Sequence, residues 1–167
     1  MAIMASASVA SNYLLIGVVN IKLMDLIVFT GGYLYGAFFG SSLGLLIWLV
    51  YGTINPYGFS FPTLIATSLS ETIYGIFGGL YRKNLEERNI QSSALKLGIT
   101  GFLLTFVYDL VTNIVTGIVI GIPITSAIIA GIPFSIIHEL SNAFFFAIGF
   151  PPLVQALRIS QVVNDLE

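Results

Sequence analysis

The chain has 167 residues, 56% of them hydrophobic and only 8% charged, with a formal net charge of −2. Soluble domains carry about a quarter charged residues, so this composition leaves too little charge to cover a water-soluble surface and predicts an integral membrane protein. The small net charge argues against a nucleic-acid partner, and the absence of cysteine excludes disulfides, thiolate metal sites and cysteine nucleophiles.

The first apolar stretch, residues 2–20, is long enough for one membrane span. No basic segment precedes it and nothing soluble follows Ala5-Ser6-Ala7, so it reads as a retained helix and not as a signal peptide. Ala2, Ser6 and Ala10 recur at a spacing of four. Small residues so spaced make a flat stripe that another helix can approach closely. That helix is either part of this chain or part of a second membrane protein.

Lys22 and Asp25 flank a short polar break, after which Leu26 to Tyr51 is nearly all apolar. That run is long for one span and short for two. Gly31, Gly32, Gly36, Gly40 and Gly44 sit near its middle, and glycine is a ready hinge. Two short spans, 23–36 and 38–53 with a tight turn near Gly36, are the favoured reading. The alternative is one long tilted helix with a Gly-x-x-x-Gly stripe from Gly32 to Gly44, which lowers the span count from six to five.

Residues 52–62 form a loop, with turn signals at Asn55-Pro56 and Tyr57-Gly58. Its Tyr57, Phe59 and Phe61, with Trp48 and Tyr51 before it, suit a membrane interface. A lid over an aromatic ligand would use the same residues. A span over 62–81 carries Glu71. Arg82-Lys83-Asn84-Leu85-Glu86-Glu87-Arg88 follows, and with Lys96 it brings together four of the six basic residues. Basic short loops stay inside the cell, so this loop is assigned to the cytoplasm.

A span over 95–121 holds Tyr108, Asp109, Thr112, Asn113 and Thr116. Gly121-Ile122-Pro123 ends it, and Ile124 to Ala130 reads as a short apolar connector. The last span, 133–157, is expected to kink or break at Pro151-Pro152. The polar tail, Arg158 to Glu167, is assigned to the cytoplasm. The chain is thus read as all-α, a single transmembrane domain over residues 1–167 in the cell membrane, with both termini inside.

Ionisable groups within apolar spans are costly and usually turn inward to a cavity. From the outer ends of their spans, Glu71 lies at ~14 Å, Asn113 at ~12 Å, His138 at ~8 Å and Asn142 at ~14 Å, with Asp109 a turn deeper than Asn113. Asp109 with Asn113, His138 with Asn142, and Thr67 with Glu71 and Gly75 are i, i+4 rows, each on one helix face. Three polar rows at related depth predict one outward-facing pocket. A Glu71–His138 or Asp109–His138 pair serving only to hold helices together would use the same residues. His138-Glu139 begins like a zinc-protease motif, but position 142 is Asn and the chain has no second His. No metal or other cofactor is therefore expected.

Several stretches resemble the substrate-binding S component of energy-coupling factor (ECF) transporters. They are Lys22 to Phe29, Gly36 to Gly44, Trp48 to Gly58 and Ser70 to Gly79, together with the chain's size and the basic loop after the fourth span. The resemblance implies six helices and no enzymatic activity. It implies capture of a vitamin or related micronutrient from outside, and energy from a separate T component and two ATP-binding-cassette ATPases. It also implies T-component docking at Ala2, Ser6 and Ala10, with Ser6 departing from the family's alanine. The implied pocket draws on Lys22 to Asp25 and on Asn55, Tyr57, Glu71, Tyr74, Asp109, Asn113, His138 and Asn142. Riboflavin, thiamin, cobalamin and queuosine precursors are all open. Two rivals stand beside it: a stand-alone proton-coupled carrier with Asp109 and Glu71 as proton sites, and a membrane enzyme using His138 and Glu139.

Overall fold

Glycine decides where the first long apolar run folds. In the computed structural model, which describes residues 1–56, 58–84 and 94–156, Gly36 stands at φ +99° between two helices. It closes the first by donating its N–H to the Gly32 carbonyl at 2.8 Å and opens the second by accepting from Gly40 at 3.1 Å. A side chain at that φ would be strained. The run is therefore two helices and not one long tilted helix.

The helices in chain order are α1 (Ala2–Leu14), α2 (Met24–Tyr35), α3 (Ala37–Thr53), α4 (Phe61–Asn84), α5 (Ala94–Ile120) and α6 (Ile124–Phe144). A π-helical turn (Phe145–Gly149) extends α6, and helix resumes to residue 156. Among the described residues there is no strand. Tyr57, the charged stretch from Leu85 to Arg88 and the tail from Arg158 to Glu167 lie outside the described residues.

Two boundaries differ from those read in the sequence. The first helix stops at Leu14, and 15–23 is a non-helical segment. The sixth helix starts at Ile124, so the expected connector is its first two turns and Pro133 lies inside it. An internal proline reads as a helix boundary because it lacks an N–H and its ring crowds the preceding turn. Apolar helices packed on neighbours tolerate it. Gly121 at φ +73° and the Ile122 N–H bonded to the Gly117 carbonyl at 3.0 Å end α5, and Pro123 leads into α6. The expected break at Pro151-Pro152 is absorbed by the π turn just before it, since a wider turn relieves the clash with the preceding carbonyls.

Helices α3 and α4 run antiparallel, with Gly40 and Gly44 meeting Gly75 and Glu71, and so do α5 and α6, with Gly98 and Gly117 meeting Ala143 and Ala127. At the end that carries Gly36, Phe29, Tyr33, Phe146 and Phe150 form an aromatic cluster with centroids 4.9–5.2 Å apart for Phe29–Phe146, Phe29–Phe150 and Tyr33–Phe150.

The outer surface is apolar while much of the polar inventory is inside. Ile3, Leu14, Phe38, Leu95 and Ile129 are exposed, yet Asp25, Glu71, His138 and Asn142 are buried. Two helical stretches, Ala94–Ile120 and Ile124–Ala156, are long and apolar enough to cross a membrane, and their apolar windows are only 28% and 17% buried. Ala37–Thr53 is apolar but shorter.

Candidate functional site

The site is built at the end of the bundle that carries residues 15–23, 54–56, 58–60 and 121–123. Segment 15–23 is pinned at both sides. Asn12 donates to the Met24 sulfur at 2.7 Å, and Asn20 donates across to the Phe134 carbonyl on α6 at 2.9 Å. Asn20 stands at φ +56°, a conformation that asparagine tolerates better than most residues. So held, the segment brings Val19, Asn20 and Lys22 over the gap between α3, α4, α5 and α6.

Beneath it lies a cavity of about 470 Å³, walled by Lys22, Trp48, Thr67, Tyr108, Asp109, Thr112, Asn113 and Ser135 among others. The Lys22 ammonium lies 5.3 Å from the centroid of the Trp48 ring and 5.3 Å from that of Tyr108. The two rings are 6.3 Å apart and inclined by 30°. Asn113 donates to Ser135 Oγ at 3.2 Å, which ties α5 to α6 across the cavity wall.

A buried polar network forms the floor. His138 Nε2 is 2.8 Å from Asp25 Oδ2, and its Nδ1 is 3.0 Å from Asp109 Oδ1. Asn142 donates to the same Asp25 oxygen at 2.5 Å and to Thr105 Oγ1 at 2.8 Å. Tyr74 donates to Thr105 Oγ1 at 2.9 Å. Three helices, α2, α5 and α6, thus meet at one imidazole. Beside this floor, Trp48 Nε1 donates to Glu71 Oε2 at 3.1 Å. Asp25 Oδ1, Asp109 Oδ2, Glu71 Oε1 and the Tyr108 hydroxyl have no hydrogen-bond partner among the described residues. Unpaired polar groups in a buried setting are unfavourable, and of these Asp109 and Tyr108 line the cavity, so a ligand that meets their hydrogen-bonding needs gains affinity. Chemically the floor can hold and pass protons between two carboxyls through the imidazole. Among the described residues no group of three or more His, Asp or Glu is arranged to hold a metal ion.

The residues chosen from sequence are distributed unevenly over this site. Asp109, His138 and Asn142 come together, and Tyr74 joins them through Thr105. Asp109 and Asn113 line the cavity itself. Asn55 lines a smaller neighbouring cavity of about 160 Å³ that shares Asn20, Lys22 and Trp48 with it. Glu71 is fully buried behind Trp48, so of the two pairs considered for His138, the Asp109 pair forms. The predicted depth of His138 is corrected. Counted from Ile124 it lies ~21 Å along α6, level with Asp109 at ~16 Å from Ile120, while Asn113 is only ~10 Å from that end. The row Thr67, Glu71, Gly75 also divides: Thr67 faces the cavity, Glu71 is buried, and Gly75 meets the backbone of α3.

Trp48, Tyr108 and Thr105 are site residues that the sequence reading misses, and Lys22 and Asp25 enter it only as the ends of one stretch implied by the resemblance. The available signal was an acid in the first turn of an apolar helix, three residues after a lysine. Glu139, next to His138, takes no part in the network. It lines a groove of about 310 Å³ between α5 and α6 with Phe102, Phe106 and Ile132, which shares Asp109, Asn113 and Ser135 with the cavity. On α1, Ala2, Ser6 and Ala10 are all exposed, while Ala5, Ser8 and Asn12 face the bundle. No family model matches this chain, and neither a curated protein nor a solved structure matches it.

Proposed function

We propose that this chain is the substrate-binding membrane subunit of an ECF-type importer. It spans the cell membrane six times with both ends of the helical bundle's chain on the cytoplasmic side, and it takes a vitamin or related micronutrient from outside. It delivers that cargo with a T component and two ATP-binding-cassette ATPases, and is not itself an enzyme. The observation that carries this reading is the cavity of about 470 Å³ under segment 15–23. That volume falls within the range of small-molecule sites, which combine apolar walls with a few converging polar groups. It lies at the end of the bundle opposite Asn84 and Ala94, the α4 and α5 ends that the basic run joins in sequence, so the cytoplasmic assignment of that run turns the cavity outward. Exposure of Ala2, Ser6 and Ala10 adds support, since the stripe is not used for packing within the described chain.

The test is a mild-detergent pull-down of the tagged protein from its own host. Two ATP-binding-cassette ATPases and a T-like membrane protein are expected to co-purify. Ser6→Leu, which adds bulk to the middle of the stripe, should abolish uptake and leave ligand affinity intact. An equal fall in affinity would show that the stripe packs internally.

One observation favours a second reading, the stand-alone proton-coupled carrier: the Asp25–His138–Asp109 chain is a ready proton relay. In that case the protein is recovered alone even under crosslinking, and uptake collapses with the proton gradient.

A further inference from the structure

Lys22 is the one cationic side chain among the residues that wall the cavity, and its surroundings are unusual for a lysine. Among the described residues no carboxylate lies within salt-bridge distance of it. Its ammonium instead rests against two aromatic faces, Trp48 and Tyr108, at 5.3 Å from each centroid. That is within the ~6 Å reach of a cation–π contact.

The charge of the floor explains why a cation is held there. Each nitrogen of His138 faces a carboxylate oxygen, at 2.8 and 3.0 Å. Both contacts are hydrogen bonds only if each nitrogen–oxygen pair has a proton. Wherever those two protons sit, the Asp25–His138–Asp109 trio carries one net negative charge. Glu71, behind Trp48, adds either none or one more. Lys22 is the group that offsets this charge from the cavity side.

We propose that Lys22 holds the place of the cargo's own cation, and that the cavity selects an organic cation carried on a flat ring. The cargo displaces the Lys22 side chain and lies against Trp48 and Tyr108, as the ammonium does in the free protein. Two faces inclined by only 30° suit a flat ring better than a tetrahedral ammonium group. Lys22 sits in the non-helical segment 15–23 on an unbranched stem, so it can withdraw without moving a helix. An anionic cargo would instead pair with Lys22 and leave the floor's charge without its counter-ion. This inference rests on the cavity being a ligand site, as proposed above.

Trp48 is the chain's single tryptophan, so tryptophan fluorescence reports on this cavity and the smaller one that shares its ring. The full chain in detergent is titrated with 1-methylnicotinamide, nicotinamide and nicotinate, which put a positive, zero and negative charge on one ring. The cation is expected to quench saturably, with an affinity about 5–30-fold tighter than nicotinamide, and nicotinate to give no saturable change. Lys22→Met removes the competing ammonium. It should tighten the cation about 2–5-fold and leave nicotinamide unchanged. Tyr108→Leu removes one face and should weaken the cation by about fivefold or more, which decides the matter even if Lys22→Met does not fold. Equal affinities for the three rings would overturn the inference. So would tightest binding of nicotinate with loss in Lys22→Met, or no saturable response to any ring. The importer reading fails separately, on which proteins co-purify.

Discussion

Where α2, α3 and α4 cross, the helices meet backbone to backbone; where α5 and α6 face α2 across the floor, side chains hold them together. Gly32, Gly40 and Gly75 stand at the first crossing. A Cβ added at Gly40 would lie 2.6 Å from the Gly32 Cα and 2.7 Å from the Gly75 Cα, and one added at Gly75 would strike the Gly40 carbonyl. On the other side, His138, Asp25, Asp109, Asn142 and Thr105 span the gaps with hydrogen bonds. The first arrangement is dry and admits nothing. The second keeps helices apart and leaves room for a cavity beside it. A stable platform and an adaptable site are thus assigned to different helices, with Asp25 at the start of α2 belonging to both.

The comparison can be broken at the polar side first. His138→Ala would leave Asp25 and Asp109 buried without their shared partner, and removing one member of a buried charged set costs about 3–5 kcal/mol. Denaturant unfolding in detergent should show that loss, whereas a change below about 1 kcal/mol would mean that water already reaches the floor. Next comes the glycine crossing. Gly75→Ala forces α3 and α4 apart and should cost about 1–3 kcal/mol by the same assay; a neutral result would mean that the crossing is not close in solution. The smallest effect sharpens the contrast. At Gly98, on α5, an added Cβ meets the Ala143 carbonyl oxygen at 3.1 Å and the Ala147 Cβ at 3.3 Å. The small shift required is offset by better helix propensity, so Gly98→Ala should move stability by less than about 1 kcal/mol.

Much of this architecture is legible in the sequence because it depends on local chemistry. Gly36 marks a turn because only glycine takes its φ cheaply. The shared face of His138 and Asn142 follows from helical spacing alone. What is not legible is which faces meet. Asp25 reads as part of a polar break because it follows Lys22 closely, and nothing local shows that α2 begins at the level of His138, more than a hundred residues later in the chain. Pro133 misleads for a different reason. Its ring is a local obstacle, but packing around α6 overrides it, and the error moves His138 along the helix by more than two turns. Trp48 reads as an interface aromatic because most such residues are, Tyr108 reads only as one of the residues within its span, and their joint contact with Lys22 is what distinguishes them.

The shortness of α2 has an electrical consequence. Its twelve residues cover ~18 Å, against a hydrocarbon thickness of ~30 Å, and the remaining depth on the cavity side is taken up by segment 15–23. In the membrane orientation proposed above, solution would reach about halfway through the low-dielectric slab. The transmembrane voltage would then fall mainly across the other half. A singly charged cargo moving from the resting site to the inside would cross most of that drop, close to the ~2.3 kcal/mol that 100 mV supplies per charge. Little of it would be felt on binding, so the voltage would bear on the release of a cation to the inside and hardly on its capture.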